Sequence, residues 1–183
     1  MFDQIALFLV DTIVTFFVFL LLLRFHFQWL RAPFRNSVGE FVLVTTSWMV
    51  MPVRRFIPGL IGFDLPTLLL AWVVQLLGLW IEVAIRGIDV HLLGLALAAL
   101  VDLVRYSFYI LVGAVIIQVV FSWINPYTPV APVVEALTRP FLRPLRRYIP
   151  PISGFDLTPL VLVIAVQVLL IVLWHLRPAV ASL

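Results

Sequence analysis

Residues 144–167 read PLRRYIPPISGFDLTPLVLVIAVQ, and 92 positions earlier residues 52–75 read PVRRFIPGLIGFDLPTLLLAWVVQ. The two align without a gap. Proline, the Arg-Arg pair, Ile-Pro, Gly-Phe-Asp-Leu and a late Gln coincide, and an aromatic residue (Phe56, Tyr148) follows each Arg pair. A repeat of this length means that whatever the first copy builds, the second builds again. Each copy is a basic, proline-bounded segment, a Gly-Phe-Asp turn and a long apolar run.

The apolar runs decide the solvent. Of 183 residues 64% are hydrophobic and 11% charged, whereas soluble domains are about half apolar and about a quarter charged. A chain this size cannot hide so much apolar surface from water, so the bilayer is its solvent. With no cysteine, disulfides, thiol catalysis and thiolate metal sites are excluded. The net charge of +3 understates the asymmetry, because the arginines are bunched beside apolar runs. That pattern points to membrane topology and anionic headgroups rather than to nucleic acid.

Four spans follow. Residues 5–23 are apolar except for Asp11, Thr12 and Thr15, and about 20 residues cross a hydrocarbon core of about 30 Å. The run is too long, and its flank too poor in positive charge, for a cleaved signal peptide. Residues 24–64 form a first Arg-rich segment whose apolar part, 41–51, is too short to span and is expected to lie in the interface. Residues 65–81 are the second span, with Pro66 tolerated in its first turn. Residues 92–124 contain no proline and are read as one long third helix, crossing over about 96–124. Residues 125–156 are the second Arg-rich segment and residues 157–176 the fourth span. The expected fold is an all-α membrane protein of two repeats, residues 1–89 and 90–183, with amphipathic interfacial segments. Two spans per repeat leave both copies in the same orientation, so both Arg-rich segments share one face. By the positive-inside rule that face is cytoplasmic.

Three groups of residues are candidates for function. In the second Arg-rich segment Phe141, Leu142, Leu145, Tyr148 and Ile149 follow helical spacing, while Arg139, Arg143, Arg146 and Arg147 fill the other face. This is an interfacial amphipathic element with its apolar side in the acyl boundary, matched by Arg54 and Arg55 in the first copy. Pro140 and Pro144 are expected to break it into short pieces. Asp64 and Asp156 precede the spans, where a carboxylate either caps the helix or joins the Arg pair in a ligand or ion site. Gln75 and Gln167 lie 11 residues further on, about 16 Å into the bilayer. There an amide either bonds across helices or lines a polar path, and Gln118 has the same two readings. A Trp29–Trp123 alignment sets Asp11 opposite Arg105, which suggests that they pair, and Asp102 lies three residues from Arg105, close enough to neutralise it. Gly94 and Ala98 permit close helix contact, within the chain or between copies. His26, His91 and His175 do not converge, and no catalytic, metal or cofactor constellation is evident.

The two copies of Pro-x-Arg-Arg-aromatic-Ile-Pro with Gly-Phe-Asp-Leu, and Trp123-x-Asn125-Pro126 upstream, resemble the YggT family of bacterial inner-membrane proteins with its YlmG-type plastid and cyanobacterial relatives. Thr138-Arg139-Pro140 and Asp156-Leu157-Thr158-Pro159 fit that pattern closely. The first copy departs from it: Arg31-Ala32 stands for Asn-Pro, Trp48 for Pro, and Pro66-Thr67 reverses Thr158-Pro159. The resemblance implies a membrane location and fold but no established biochemical activity. Relatives are associated with osmotic and potassium homeostasis, with division and nucleoid organisation, and in a plastid branch with haem attachment. The expected function is therefore non-enzymatic: a basic face binding anionic lipid headgroups, protein partners or a second copy. The alternatives are an oligomeric ion or osmolyte transporter and, third, a haem-assembly factor.

Overall fold

A computed structural model describes residues 2–57, 59, 63–125, 127–150 and 156–181. Among these, six helices follow one another: α1 (Phe2–Trp29), α2 (Ser37–Phe56), α3 (Leu65–Arg86), α4 (Leu92–Ile124), α5 (Ala131–Tyr148) and α6 (Thr158–Ala181). Four of them, α1, α3, α4 and α6, are long and apolar enough to cross a membrane. In the most apolar stretch of each, no more than 22% of residues are buried inside the protein. The outer faces instead carry Phe8, Leu77, Trp80, Ile116, Ile164 and Trp174, all exposed. Such a surface is soluble only in lipid. The protein is a multi-pass membrane protein.

Local chemistry sets several helix ends. Asn36 caps α2, its side-chain oxygen accepting from the Gly39 amide at 2.9 Å. Pro66 sits in the first turn of α3, where its missing N–H has no partner to lose. Gly87 ends α3 in the left-handed region at φ 64°, as a C-terminal glycine commonly does.

Three expectations change. The first helix does not stop at residue 23 but runs to Trp29, carrying Arg24 into the bundle. Residues 41–51 are part of a longer helix, α2, and send Val42, Thr46 and Val50 into the core. The second Arg-rich segment does not fragment: α5 is one helix with Pro140 and Pro144 inside it. Both prolines are exposed, so the carbonyls they leave unpaired face the polar surroundings instead of a dry core, which removes most of the penalty. Residues 92–124 are one 33-residue helix, as read from the sequence.

The helices pack by repeat. α1 lies along α3 and α4 along α6, and α3 against α4 joins the two pairs. α2 and α5 cover the bundle at the Arg-rich end. Val50 of α2 enters a core with Leu21, Ala71 and Leu103, and Leu142 of α5 enters one with Leu111, Leu162 and Val166. The Gly94–Ala98 pair packs within the chain, Gly94 under Ala181 of α6 and Ala98 on the α3 side.

Candidate functional site

The Arg-rich end is built from two equivalent polar assemblies. In the first, Arg24 on α1 is 3% exposed and donates from Nη1 to Thr46 Oγ1 (2.8 Å) and Ser47 Oγ (3.2 Å) of α2. Its Nε has no partner among the described residues. One turn on, Gln28 accepts from Arg54 Nη2 at 3.2 Å, and the same nitrogen meets Asp64 Oδ2 at 2.7 Å. Asp64 also accepts from the hydroxyl of Thr67, which is fully buried at the start of α3. Gln28, Arg54, Gly59, Phe63 and Asp64 border an open cavity of about 420 Å³.

The second assembly repeats this with altered residues. Thr138 on α5, fully buried, donates to Gln118 Oε1 of α4 at 2.6 Å. Arg146 Nε lies 2.8 Å from Asp156 Oδ2, while Asp156 Oδ1 accepts from the hydroxyl (2.6 Å) and the amide (2.9 Å) of Thr158. Each repeat thus ties its amphipathic helix to the preceding span through a threonine, and to the following span through an Arg–Asp–Thr latch. The first threonine anchor is not read from the sequence because Arg24 is placed there in the Arg-rich segment, beyond the end of the first span. The signal was present: Thr46 and Thr138 are 92 apart, and Arg24 and Gln118 share the 94-residue spacing of Trp29 and Trp123.

The chain, read repeat by repeat, also matches a known family. The CCB3/YggT profile matches residues 4–85 and again residues 97–177. The chain belongs to the CCB3/YggT family. It is 30% identical over 168 residues to an uncharacterised protein of Pseudomonas aeruginosa, covering 90% of this chain and 85% of the relative. A Vibrio alginolyticus protein encoded in the proC 3' region is 32% identical over 163 residues (87% and 88%). The protein called YggT in Escherichia coli K12 is 28% identical over 163 residues (88% and 85%). Both are described as uncharacterised. No solved structure matches.

The YggT framework brings some sequence candidates together and separates others. Arg139, Arg143, Arg146 and Arg147 are exposed along α5, and Arg54 and Arg55 at the end of α2. Part of the apolar side of α5 is spent on the protein: Val133, Val134, Leu137 and Leu142 are buried, while Tyr148 is exposed. Asp64 does not cap α3 with its side chain, its carboxylate being taken by Arg54 and Thr67; Asp156 does accept a backbone amide. Gly62, Gly154 and Phe155 of the Gly-Phe-Asp turns, and Pro126, lie outside the described residues.

Among the spanning helices, Asp102 is 2% exposed and collects Arg105 Nη1 (2.8 Å), Arg177 Nε (2.8 Å) and Gln75 Nε2 (3.1 Å). Arg105 also lies over the Trp174 ring, 5.3 Å from its centroid. The expected Asp11–Arg105 pair does not form. Asp11 is exposed, and among the described residues its carboxylate accepts a hydrogen bond from Thr15 of its own helix, at 3.5 Å, because Arg105 faces Asp102 and α6. Gln75 bonds across helices and Gln118 does too, but Gln167 is exposed and has no hydrogen bond among the described residues. The gapless alignment hid the reason. Reversing Pro66-Thr67 into Thr158-Pro159 moves the latch threonine by one residue, so the buried stripe Thr67, Ala71, Gln75, Leu79 corresponds to Thr158, Leu162, Val166, Leu170. Gln167 falls one position later, turned about 100° away. His26 and His175 each contact a carbonyl of their own helix, Leu22 at 2.7 Å and Ile171 at 2.8 Å.

The two latches differ in burial. The Asp64 side chain is 4% exposed and that of Asp156 38%. Replacing Asp64 by Ala is expected to cost about 1–3 kcal/mol, because Thr67 is left buried without its acceptor. Asp156→Ala is expected to fall at the lower end of that range, because Thr158 is also fully buried and loses its acceptor while the more exposed Asp156–Arg146 pair adds little. Thermal unfolding in detergent checks the order. Burial pushes the Asp156 carboxyl up, but Thr158 and Arg146 together hold it below its ordinary range. Its folded form thus titrates below its unfolded one. The latch contributes fully above the unfolded value of about 3.9 and is lost as pH falls through the lower folded value. Protease sensitivity of the α5–α6 connection is expected to rise only below that range.

Proposed function

We propose that this YggT-type protein is a non-enzymatic inner-membrane protein whose Arg-rich face is cytoplasmic and binds anionic phospholipid headgroups, supporting envelope homeostasis or the assembly of membrane complexes. The observation that carries this reading is the division of labour within α5. Val133, Val134, Leu137 and Leu142 anchor the helix on the bundle, yet Arg139, Arg143, Arg146 and Arg147 remain exposed along it. The exposed Arg54 and Arg55 of α2 provide the same at the other repeat. A basic row held rigidly at the membrane surface gains about 1 kcal/mol per arginine from anionic headgroups.

The test is lipid retention. Protein carrying Arg54→Gln, Arg55→Gln, Arg146→Gln and Arg147→Gln, extracted gently, is expected to keep several-fold less anionic phospholipid by native mass spectrometry. Unchanged retention at an unchanged expression level would overturn the reading. A cysteine at Glu135, exposed on α5, is expected to react with an impermeant thiol reagent only from the cytoplasmic side.

A further inference from the structure

Two polar side chains lie on the outer surface of the spans: Gln167 on α6 and Asp11 on α1, both exposed. Neither side chain has a hydrogen bond to another helix among the described residues. In hydrocarbon no water satisfies an amide or a carboxylate, so such groups are expected to meet another helix. α1 and α6 do not touch one another within the chain, so the partner has to come from outside it.

The repeat identifies that partner. Leu9-Val10-Asp11 recurs as Leu100-Val101-Asp102, and 102 − 11 = 91 is also the spacing 158 − 67 = 91 that relates the buried stripes of α3 and α6. In this register the chain already contains the contact in question. α3 of the first repeat packs on α4 of the second, with Leu76 on the cluster around Ala98 and Ala99, Trp72 Nε1 donating to the Ala96 carbonyl at 3.0 Å, and Gln75 donating to Asp102. Adding 91 to Leu76 gives Gln167, and subtracting 91 from Asp102 gives Asp11. Depth agrees as well. Asp11 lines a small cavity with Gln75, whose amide reaches Asp102, so the two aspartates lie in one layer. Each repeat therefore has a face that is used once inside the chain and left open once.

We propose that copies of this chain associate head to tail in the membrane, α6 of one copy packing on α1 of the next, with Gln167, which takes the place of Leu76 next to that of Gln75, donating its amide to the Asp11 carboxylate. The interface is heterologous and continues the α3–α4 contact, so two copies closing on each other would set four repeats around one axis.

The absence of cysteine makes the test clean. Two differently tagged full-length copies, one with Phe8→Cys on α1 and one with Ile171→Cys on α6, both exposed sites, are co-expressed and oxidised in native membranes. A mixed α1–α6 disulfide is expected at several times the level given by Ile116→Cys, an exposed position on α4 that reports random collision. Adding Gln167→Leu and Asp11→Leu to those copies is expected to bring it down towards that background. A mixed product no higher than the Ile116 control would overturn self-association on these faces. Predominant α6–α6 or α1–α1 products would overturn the head-to-tail arrangement, and an undiminished mixed product in the Leu variants would overturn the Gln–Asp contact.

Discussion

Replacing Asp102 by Leu is expected to destabilise the protein by about 3–5 kcal/mol, the range for removing one partner from a buried ion pair. The carboxylate is the only acid within ion-pair distance of Arg105 and Arg177 among the described residues. Gln75 converges on it as well, so one side chain ties α3, α4 and α6 together. Without it Arg105 and Arg177 lose their shared counter-charge, and the Gln75 amide loses its acceptor. Arg177 is 37% exposed and can turn outwards, which favours the lower part of the range; Arg105, at 13%, cannot. Combining Asp102→Leu with Arg105→Met and Arg177→Leu is expected to restore much of the loss, since a buried charge group can be replaced by apolar side chains with little net change. Thermal unfolding in detergent reads both. A single variant melting like the parent would show that the cluster is already hydrated and contributes little.

Gly78→Leu is expected to cost at least about 1–3 kcal/mol, the range for overpacking. A Cβ at that position would stand 2.6 Å from Val14 Cγ1, 2.9 Å from Cγ2 and 3.2 Å from Cβ. Valine is stiff about χ1 and cannot swing clear, so α1 and α3 would have to separate along the most extensive contact in the bundle. Gly113, with nothing near its missing Cβ, supplies the control: Gly113→Leu is expected to be tolerated. Equal melting of the two variants would contradict a close α1–α3 contact.

Much of this architecture was legible in the chain. Four spans follow from apolar length alone, because hydrocarbon thickness sets a minimum run that soluble helices do not need. The repeat could be read because its markers, the Arg pair, the prolines and Gly-Phe-Asp, are rare residues in a sea of Leu, Val and Ile. The latches were legible as one of two readings: each aspartate was set either as a helix cap or with the Arg pair ten residues back, and sequence distance across a turn does not show which way the chain folds. Arg24 was misplaced because a charge at the edge of an apolar run looks like its end. It remains inside because Thr46 and Ser47 arrive from α2 to receive it.

By itself, then, the sequence determined the solvent, the number of crossings, the duplication and the shared face of the arginines, since each depends on composition and period. Tertiary structure alone decided the partners. Asp102, and not Asp11, collects the intramembrane arginine, and Gln75 turns inward while Gln167 turns out. Both outcomes depend on rotation about a helix axis, where one residue is about 100°. An apolar run without strong amphipathicity does not specify that angle; packing against a neighbouring helix does.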